Sequence, residues 1–276
     1  MRGRDLSRKI SDSLYLPVAL LAAMAMVIPV YILFKVSVST PGEILTAHPS
    51  FLIRDFTLEH WVKVLKSGNL KAPFVKSFAV ATLTTVAAVL IASPAAYVIA
   101  RMPRKIKYPL VLSLFLTRMF PEVGIALPIS VQFIKMNLID TYLGLVLAHL
   151  ILNLPFAAWI LVGTFETIPK DLEEAAMVDG AGKVESLIKV IMPLALPGIA
   201  VAAIFVWLNS WNEFTYALYL TVSQRTLPLQ TYYYVVRGGW FDAATYATIL
   251  TIPVMVVTFF LQRYMKGGYL SGAVKG

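Results

Sequence analysis

Residues 168–198 read IPKDLEEAAMVDGAGKVESLIKVIMPLALPG. This polar stretch is set into a chain that is otherwise apolar. Acidic residues such as Glu173 favour the start of a helix, because negative charge is stabilised near a helix N-terminus. Gly180 is predicted to break that helix. A second amphipathic helix follows, and Pro193 and Pro197 are predicted to end it. We therefore expect a helix-turn-helix hairpin that lies outside the lipid.

The composition supports this expectation. Of 276 residues, 58% are hydrophobic and only 14% are charged, which is too apolar for a soluble domain of this size. The chain has a net charge of +9 but its Lys and Arg residues are spread over several polar segments, so we expect no nucleic-acid partner. It has no cysteine and therefore no cysteine-based metal site. The predicted fold class is an all-α, polytopic membrane protein in contact with membrane lipid.

Six apolar runs have the length that a bilayer requires. They cover residues 14–34, 74–100, 109–134, 143–162, 197–220 and 245–261. The first run is longer than the apolar part of a usual signal peptide and has no cleavage site before Lys35, so we interpret it as a retained span. The segment RMPRKIK at 101–107 is basic without an acid, which predicts a cytoplasmic location for it, for the hairpin and for both termini.

The third predicted span carries two charges, Arg118 and Glu122, beside Pro121 and Pro128. Each proline frees a carbonyl that lipid cannot satisfy, so this helix is expected to be locally broken and to face protein or a wet cavity. The two charges are candidates for the solute path; the alternative is that they pair with each other one turn apart or hold a neighbouring helix. His149 in the fourth span is expected to be hydrogen-bonded within the bundle.

The fifth predicted span carries Asn209, Asn212 and Glu213, which would form one polar face of a continuous helix. Trp207 and Trp211 are expected to stack beside that face. A carboxylate, two amides and indole rings could line a path for a hydroxyl-rich solute. The alternative is that these groups join helices within the bundle.

No energy source is visible in the sequence. Lys183 follows Gly182 as in a phosphate-binding loop, but Val184 stands where Ser or Thr is needed and Met177 where the first Gly is needed. No metalloprotease or hydrolase motif is present either. We expect a chain that is not an enzyme and holds no metal or cofactor.

The hairpin resembles the EAA loop of ABC-importer permeases, which is Glu-Ala-Ala, three residues, Gly, nine residues, then Ile-x-Leu-Pro. The matching residues are Glu174, Ala175, Ala176, Gly180 and, after the nine-residue gap, Val190, Ile191, Met192 and Pro193. Val replaces Ile and Met replaces Leu, with volume and polarity kept. Three further stretches resemble the maltose-type carbohydrate branch of that family: TRMFPE at 117–122, SWNEF at 210–214 and SGAVKG at 271–276.

The resemblance implies the type I ABC importer permease fold. It also implies three kinds of partner: a second, homologous permease, a dimer of ATPase subunits that holds ATP and Mg, and an extracytoplasmic solute-binding protein. The implied ATPase-coupling residues are Glu174, Ala175, Ala176, Asp179, Gly180 and Gly182. The implied contacts of the binding protein lie in the aromatic loop 221–244 and are Tyr232, Tyr233, Tyr234, Gly238, Gly239 and Trp240, for which an interfacial aromatic belt is the alternative.

The same resemblance implies a division into residues 1–73, a transmembrane domain at 74–262 with its coupling loop at 165–196, and a cytoplasmic tail at 263–276. The expected function is ATP-driven import of a di- or oligosaccharide such as maltose or trehalose. A polyol, glycerol or glycerol phosphate is the alternative substrate. A stand-alone secondary transporter is a more remote alternative, although no inverted repeat is visible.

Overall fold

The computed structural model describes the backbone of residues 2–265 and the side chains of residues 16–260. The predicted tail, with SGAVKG at its end, lies outside the described residues from Lys266 onward. The described chain forms the following α-helices: α1 Arg2–Val38, α2 Pro41–Ile44, α3 Glu59–Lys66, α4 Lys71–Arg101, α5 Arg104–Leu116, α6 Glu122–Lys135, α7 Tyr142–Glu166, α8 Lys170–Val178, α9 Lys183–Ser186, α10 Met192–Trp211, α11 Thr215–Leu220, α12 Leu227–Val236 and α13 Trp240–Met265.

The all-α prediction is confirmed. Within residues 2–265 the β structure is limited to one isolated bridge between Ser39 and Phe56. Five segments are long and apolar enough to cross a bilayer: Leu16–Val38, Lys71–Arg101, Tyr142–Glu166, Lys183–Trp211 and Trp240–Phe260. The helices α5 and α6 pass the same test as a bent pair, which makes six candidate spans in the described part of the chain. Each predicted span overlaps one of them.

The third span is broken, as predicted. After α5 a single 3₁₀ turn covers Thr117–Met119, Pro121 precedes α6, and the pair is bent by 84°. The bend separates Arg118 from Glu122, which is the first residue of α6. Among the described ion pairs there is none between these two residues, and the guanidinium of Arg118 lies 5.7 Å from the ring centre of Phe156. The suggested pairing of the two charges is therefore wrong.

The fifth span differs from the prediction at its start. Pro193 and Pro197 do not end the second hairpin helix, because one helical segment runs through both from Lys183 to Trp211. A π-helical turn at Leu187–Ile191 precedes Pro193, and the amide N–H of Met192 donates to the carbonyl of Leu187. A proline ring collides with the carbonyl four residues earlier in an α-helix, and the wider turn relieves that collision.

The helices α4, α7 and α10 pack closely because small residues face their contacts. The buried alanines of α4 are Ala81, Ala88, Ala92, Ala96 and Ala100. On α10, a Cβ added to Gly198 would lie 2.2 Å from Oγ1 of Thr164 on α7, so only a glycine fits this crossing. Close approach over small residues is the usual packing mode of helices in lipid.

The described chain divides into two compact units. One contains the residues up to Leu70 together with Thr231–Thr251, and the other contains Lys71–Gln230 with the residues from Ile252 onward. In the first unit, Lys63 of α3 pairs with Asp242 of α13 at 2.7 Å. Asp242 holds the pKa of Lys63 above its usual value, mainly by this hydrogen bond. The division of the chain at 73 and 262 that the sequence suggested stays a prediction.

A loop anchor in the first unit is built on Glu43. Its carboxylate accepts hydrogen bonds from the amides of Asp55 and Arg54 and from the hydroxyl of Ser50, and it pairs with Lys35 at 3.2 Å. The amide of Asp55 is the largest of the effects that lower the pKa of Glu43 to about 2. Charged acceptors of this kind stabilise a loop only while they are ionised.

Candidate functional site

The predicted hairpin is present and begins with α8. Pro169 lies immediately before the helix, and acidic residues occupy its first turn. At the other end Gly180 has a φ of +95°, a conformation that L side chains rarely adopt. The amide of Gly180 donates to the carbonyl of Met177, and the amide of Ala181 donates to that of Ala176. These two bonds form a Schellman motif, which explains why a glycine stands at this turn.

The outer surface of the hairpin exposes apolar side chains among its charged ones. Val178 is 87% exposed, and Leu172, Met177 and Val184 are exposed as well. Glu174, Ala175 and Gly180 lie on the accessible surface, whereas Ala176 is half-buried. Exposed apolar side chains on a polar segment indicate a contact surface for another protein.

Glu173 holds the inner side of α8 in place. From the sequence, this residue was interpreted only as a negative charge that favours the start of the helix. The Glu173 carboxylate accepts hydrogen bonds from the Tyr97 hydroxyl and, at 3.1 Å, from Nε of Arg101. Nη1 of Arg101 also donates to the carbonyls of Phe165 and Ile168, each at 3.2 Å. One guanidinium therefore joins the end of α4, the end of α7 and the hairpin helix.

A cleft of about 550 Å³ lies beside this cluster. The cationic residues of its lining are Arg101, Arg104, Lys107 and Lys170, and the ends of α4 and α7 form its walls. Lys107 pairs with Glu166 at 2.5 Å. Arg101, Arg104 and Lys107 belong to the basic segment 101–107, for which the sequence predicts a cytoplasmic location. The hydrogen bonds of Arg101 and the ion pair of Lys107 show how two of these charges are held.

The candidate solute-path residues of the fifth span are not on one helix face. The helix α10 ends at Trp211, so Glu213 lies in the connection to α11. Its carboxylate caps α11 by accepting the amides of Tyr216 at 2.6 Å and Ala217 at 3.1 Å. The expected continuous polar face is therefore wrong, because a carboxylate that caps a helix start requires the preceding helix to stop.

The remaining residues of this group divide by exposure. Trp211 is completely buried and stacks on Trp207 with ring centres 5.1 Å apart, as predicted. Asn209 and Asn212 are exposed. The side chain of Asn209 donates to Oδ1 of Asn153 on α7 at 3.1 Å, so this amide also joins helices.

A buried polar cluster surrounds His149, as the sequence predicted for this histidine. Its Nδ1 lies 2.6 Å from Oγ of Ser210, and its Nε2 lies 3.2 Å from the Glu213 carboxylate. Asn153 donates to the His149 carbonyl at 2.8 Å. The contact between His149 and Glu213 was missed, because the two residues are 64 positions apart and share no sequence motif.

The aromatic segment after α11 is partly helical, since α12 covers residues that the sequence placed in an outward loop. Gly238, with a φ of +74°, ends α12 in a second Schellman motif together with Gly239. Tyr232 and Trp240 are exposed, whereas Tyr234 stacks on Tyr246 with ring centres 4.9 Å apart. Tyr233 lies under the Arg237 guanidinium at 4.2 Å.

Asp140 ties together two connections at the opposite end of α4 from the hairpin. Its carboxylate accepts the amides of Val222 and Ser223, at 3.3 and 3.0 Å, and the Ser223 hydroxyl. Lys76 of α4 approaches it at 3.4 Å and donates to the Gln224 carbonyl at 2.7 Å. Burial favours the neutral acid, but the hydrogen bonds from Ser223 and its neighbours outweigh burial and lower the pKa of Asp140 to about 2.

The chain is similar to known proteins over most of its length. The trehalose/maltose transport system permease protein MalG of Thermococcus litoralis is 33% identical over 227 residues, which are 80% of this chain and 82% of that protein. The diacetylchitobiose uptake system permease protein DasC of Streptomyces coelicolor is 27% identical over 262 residues, which are 94% of this chain and 95% of that protein.

A solved structure has the same fold. It belongs to a bacterial ABC transporter involved in the import of the acidic polysaccharide alginate, and the match has a TM-score of 0.76 at 20% identity over 94% of this chain and 97% of that chain. The family described as binding-protein-dependent transport system inner membrane component matches residues 85–268. That match covers more than half of the chain, and the protein therefore belongs to the family of binding-protein-dependent transport system inner membrane components.

Proposed function

We propose that this chain is a permease subunit of an ATP-driven ABC importer, with both termini in the cytoplasm, and that it carries a carbohydrate across the membrane. The observation that carries the proposal is the exposed hairpin around α8 in a chain of this family. A membrane bundle that presents apolar side chains such as Val178 outside its spans has a surface for a partner protein.

The substrate class follows from the relatives. Trehalose, maltose, diacetylchitobiose and alginate, which name the matched transporters, are all built from sugar units. We therefore propose a di- or oligosaccharide as the substrate of this chain. A polyol, glycerol or glycerol phosphate is less favoured, because the three transporters described above take their names from sugars.

The chain would act with partners that supply energy and substrate. A solute-binding protein would deliver the sugar outside, a second permease would complete the pore, and an ATPase dimer would hold ATP and Mg. Closure of the ATPase dimer would push on the segment from Glu174 to Gly180, with Gly182 in its second helix, and drive the change from inward- to outward-facing. Such coupling requires two states with different contacts and no chemistry in this chain.

The remaining candidate residues take separate roles in this proposal. Asn209 and Asn212 are accessible and would contact the solute, together with Arg118 and Glu122 at the broken third span. Trp211 and Glu213 are buried and would hold the shape of that path. The exposed rings of Tyr232 and Trp240 would contact the binding protein, with Tyr233, Tyr234 and the two glycines after α12 supporting them.

A stand-alone secondary transporter is not supported. Membership in a family of binding-protein-dependent systems argues for several components. The buried pair of His149 and Glu213 makes hydrogen bonds to Ser210 and to the start of α11, which argue for a structural role.

The test compares two glycines with similar backbones. Gly180→Asp places a charged side chain at the hairpin turn, and we expect the protein to insert in the membrane but to lose sugar uptake. Gly68 also has a positive φ, +72°, and equally open surroundings, so Gly68→Asp is the matched control and is expected to keep uptake. Uptake of labelled sugar by cells that express each variant is measured together with co-purification of the ATPase. Normal uptake by Gly180→Asp would refute the coupling role.

A further inference from the structure

Side-chain hydrogen bonds to Glu173 join the hairpin helix α8 to α4. Glu173, Arg101 and Tyr97 form a cluster, which we call the coupling clamp. The side chains of Glu173 and Arg101 are only 14% and 16% exposed. Water and salt therefore screen this ion pair much less than an ordinary surface pair.

The clamp also closes the end of α7. The last carbonyls of a helix have no partner within it, and Arg101 donates to that of Phe165 and to the carbonyl of Ile168 in the connection to α8. A cation at this position is further stabilised by the helix dipole. The short connection from α7 to α8 therefore cannot move without moving the Arg101 guanidinium, which belongs to α4.

From the clamp, α4 leads to the opposite end of the bundle. Arg101 and Lys76 are 25 residues apart on one helix, which is about 38 Å at 1.5 Å per residue. At that end Lys76 contacts Asp140 and Gln224, and the Ser77 hydroxyl accepts the amide of Leu227 at 2.8 Å. One helix thus carries hydrogen bonds to the hairpin at one end and to two connections at the other.

We propose that Glu173, Arg101 and Tyr97 are positioning residues that pass the displacement of α8 to α4, and through α4 to the connections around residues 136–141 and 221–227. This inference rests on the proposed function and names the path that its mechanical step takes. The neighbouring Glu174 is exposed and belongs to the partner surface, whereas Glu173 faces inward and belongs to the path.

The test uses variants that remove single polar groups without changing side-chain volume. Tyr97→Phe removes the hydroxyl that donates to Glu173, and Glu173→Gln removes its charge. We expect both variants to assemble with the ATPase and to hydrolyse ATP, while the number of sugars transported per ATP falls by about 3- to 30-fold. The measurement is made on the full complex in liposomes with binding protein and labelled sugar.

A nearby ion pair gives the matched control. Glu166→Gln breaks the pair between Glu166 at the end of α7 and Lys107 of α5, and among the described hydrogen bonds and ion pairs neither residue joins α8. Its ratio of transport to hydrolysis is expected to stay near that of the unchanged protein. The double variant of Tyr97→Phe and Glu173→Gln is expected to be no worse than the more severe single one, because both act through one contact.

The possible results separate this inference from the proposed function. If the unchanged chain assembles with an ATPase but Tyr97→Phe and Glu173→Gln keep the normal ratio, the clamp is not the path. The same conclusion follows if Glu166→Gln lowers the ratio as much, or if the two clamp substitutions add fully. If the unchanged chain assembles with no ATPase, the proposed function itself is refuted.

Discussion

Replacement of Gly198 by alanine tests how closely α7 and α10 must approach. The added Cβ would lie 2.2, 2.3 and 2.8 Å from Oγ1, Cγ2 and Cβ of Thr164, whereas ordinary contacts begin at 3.4 Å. Thr164 cannot turn away freely, because it is β-branched and its hydroxyl donates to the Ile160 carbonyl at 2.9 Å. The helices must therefore separate by about 1 Å, which forfeits part of the dispersion energy along their contact.

Two opposing effects determine how much Gly198→Ala changes the free energy of unfolding. Overpacking of this kind costs about 1 to 3 kcal/mol, while Gly→Ala in a helix interior gains about 0.5 to 1 kcal/mol. The cost is expected to win, with a net loss of about 1 to 2 kcal/mol in the free energy of unfolding. Unfolding in detergent micelles, followed by circular dichroism, measures it.

Gly163 provides the control for Gly198, since it lies on α7 and its added Cβ would meet nothing within 4 Å. Gly163→Ala is expected to keep or raise stability. Thr164→Ala in the Gly198→Ala background removes the two nearest atoms and should recover part of the loss. Equal stability of Gly198→Ala and Gly163→Ala would show that the crossing is not close, and the reasoning about this helix pair would be wrong.

Three further predictions concern single side chains. Asp140→Asn should lower stability at neutral pH by about 2 kcal/mol, since the pKa of Asp140 falls from 3.8 to about 2; this contribution is present above pH 4 and disappears as the pH falls towards 2, so a variant with an unchanged pH profile contradicts it. His149→Leu removes the imidazole beside the buried Glu213 carboxylate, which keeps its two amide hydrogen bonds, and should cost about 1 to 3 kcal/mol in a detergent unfolding assay; a change within experimental error would show that this contact is unimportant. Val178→Asp should leave stability within about 0.5 kcal/mol, because Val178 is 87% exposed, but should abolish co-purification with the ATPase, and retained assembly would exclude this residue from the contact surface.

The spans and the hairpin could be predicted because each depends on local sequence. Apolar length decides whether a helix can cross a bilayer, and the prolines beside Arg118 and Glu122 predicted the break of the third span, although Pro128 lies inside α6 and only Pro121 stands at the break. Gly180 marks the end of α8 because its backbone conformation excludes most other residues. These features need no knowledge of what lies across the bundle.

Two errors at the candidate site come from tertiary contacts. Glu213 resembled a member of a polar helix face, but it caps α11 and meets His149 on another helix. Glu173 was interpreted through the helix dipole alone, although Arg101 and Tyr97 on α4 decide its role. Partners 60 or more residues away leave no periodic signal, so one sequence could not reveal them.

The wide turn at Leu187–Ile191 has a consequence for insertions and deletions among relatives of this chain. A π-helical turn holds one residue more than the α-helical path it replaces. Consider a homologue that lacks one residue in this turn and has another residue in place of Pro193. The side chains of its hairpin and of its span would keep the same directions around the helix axis as in this chain. Gaps in alignments of this family are therefore expected to fall at this turn more often than elsewhere in the same helix, and to coincide with loss of the proline.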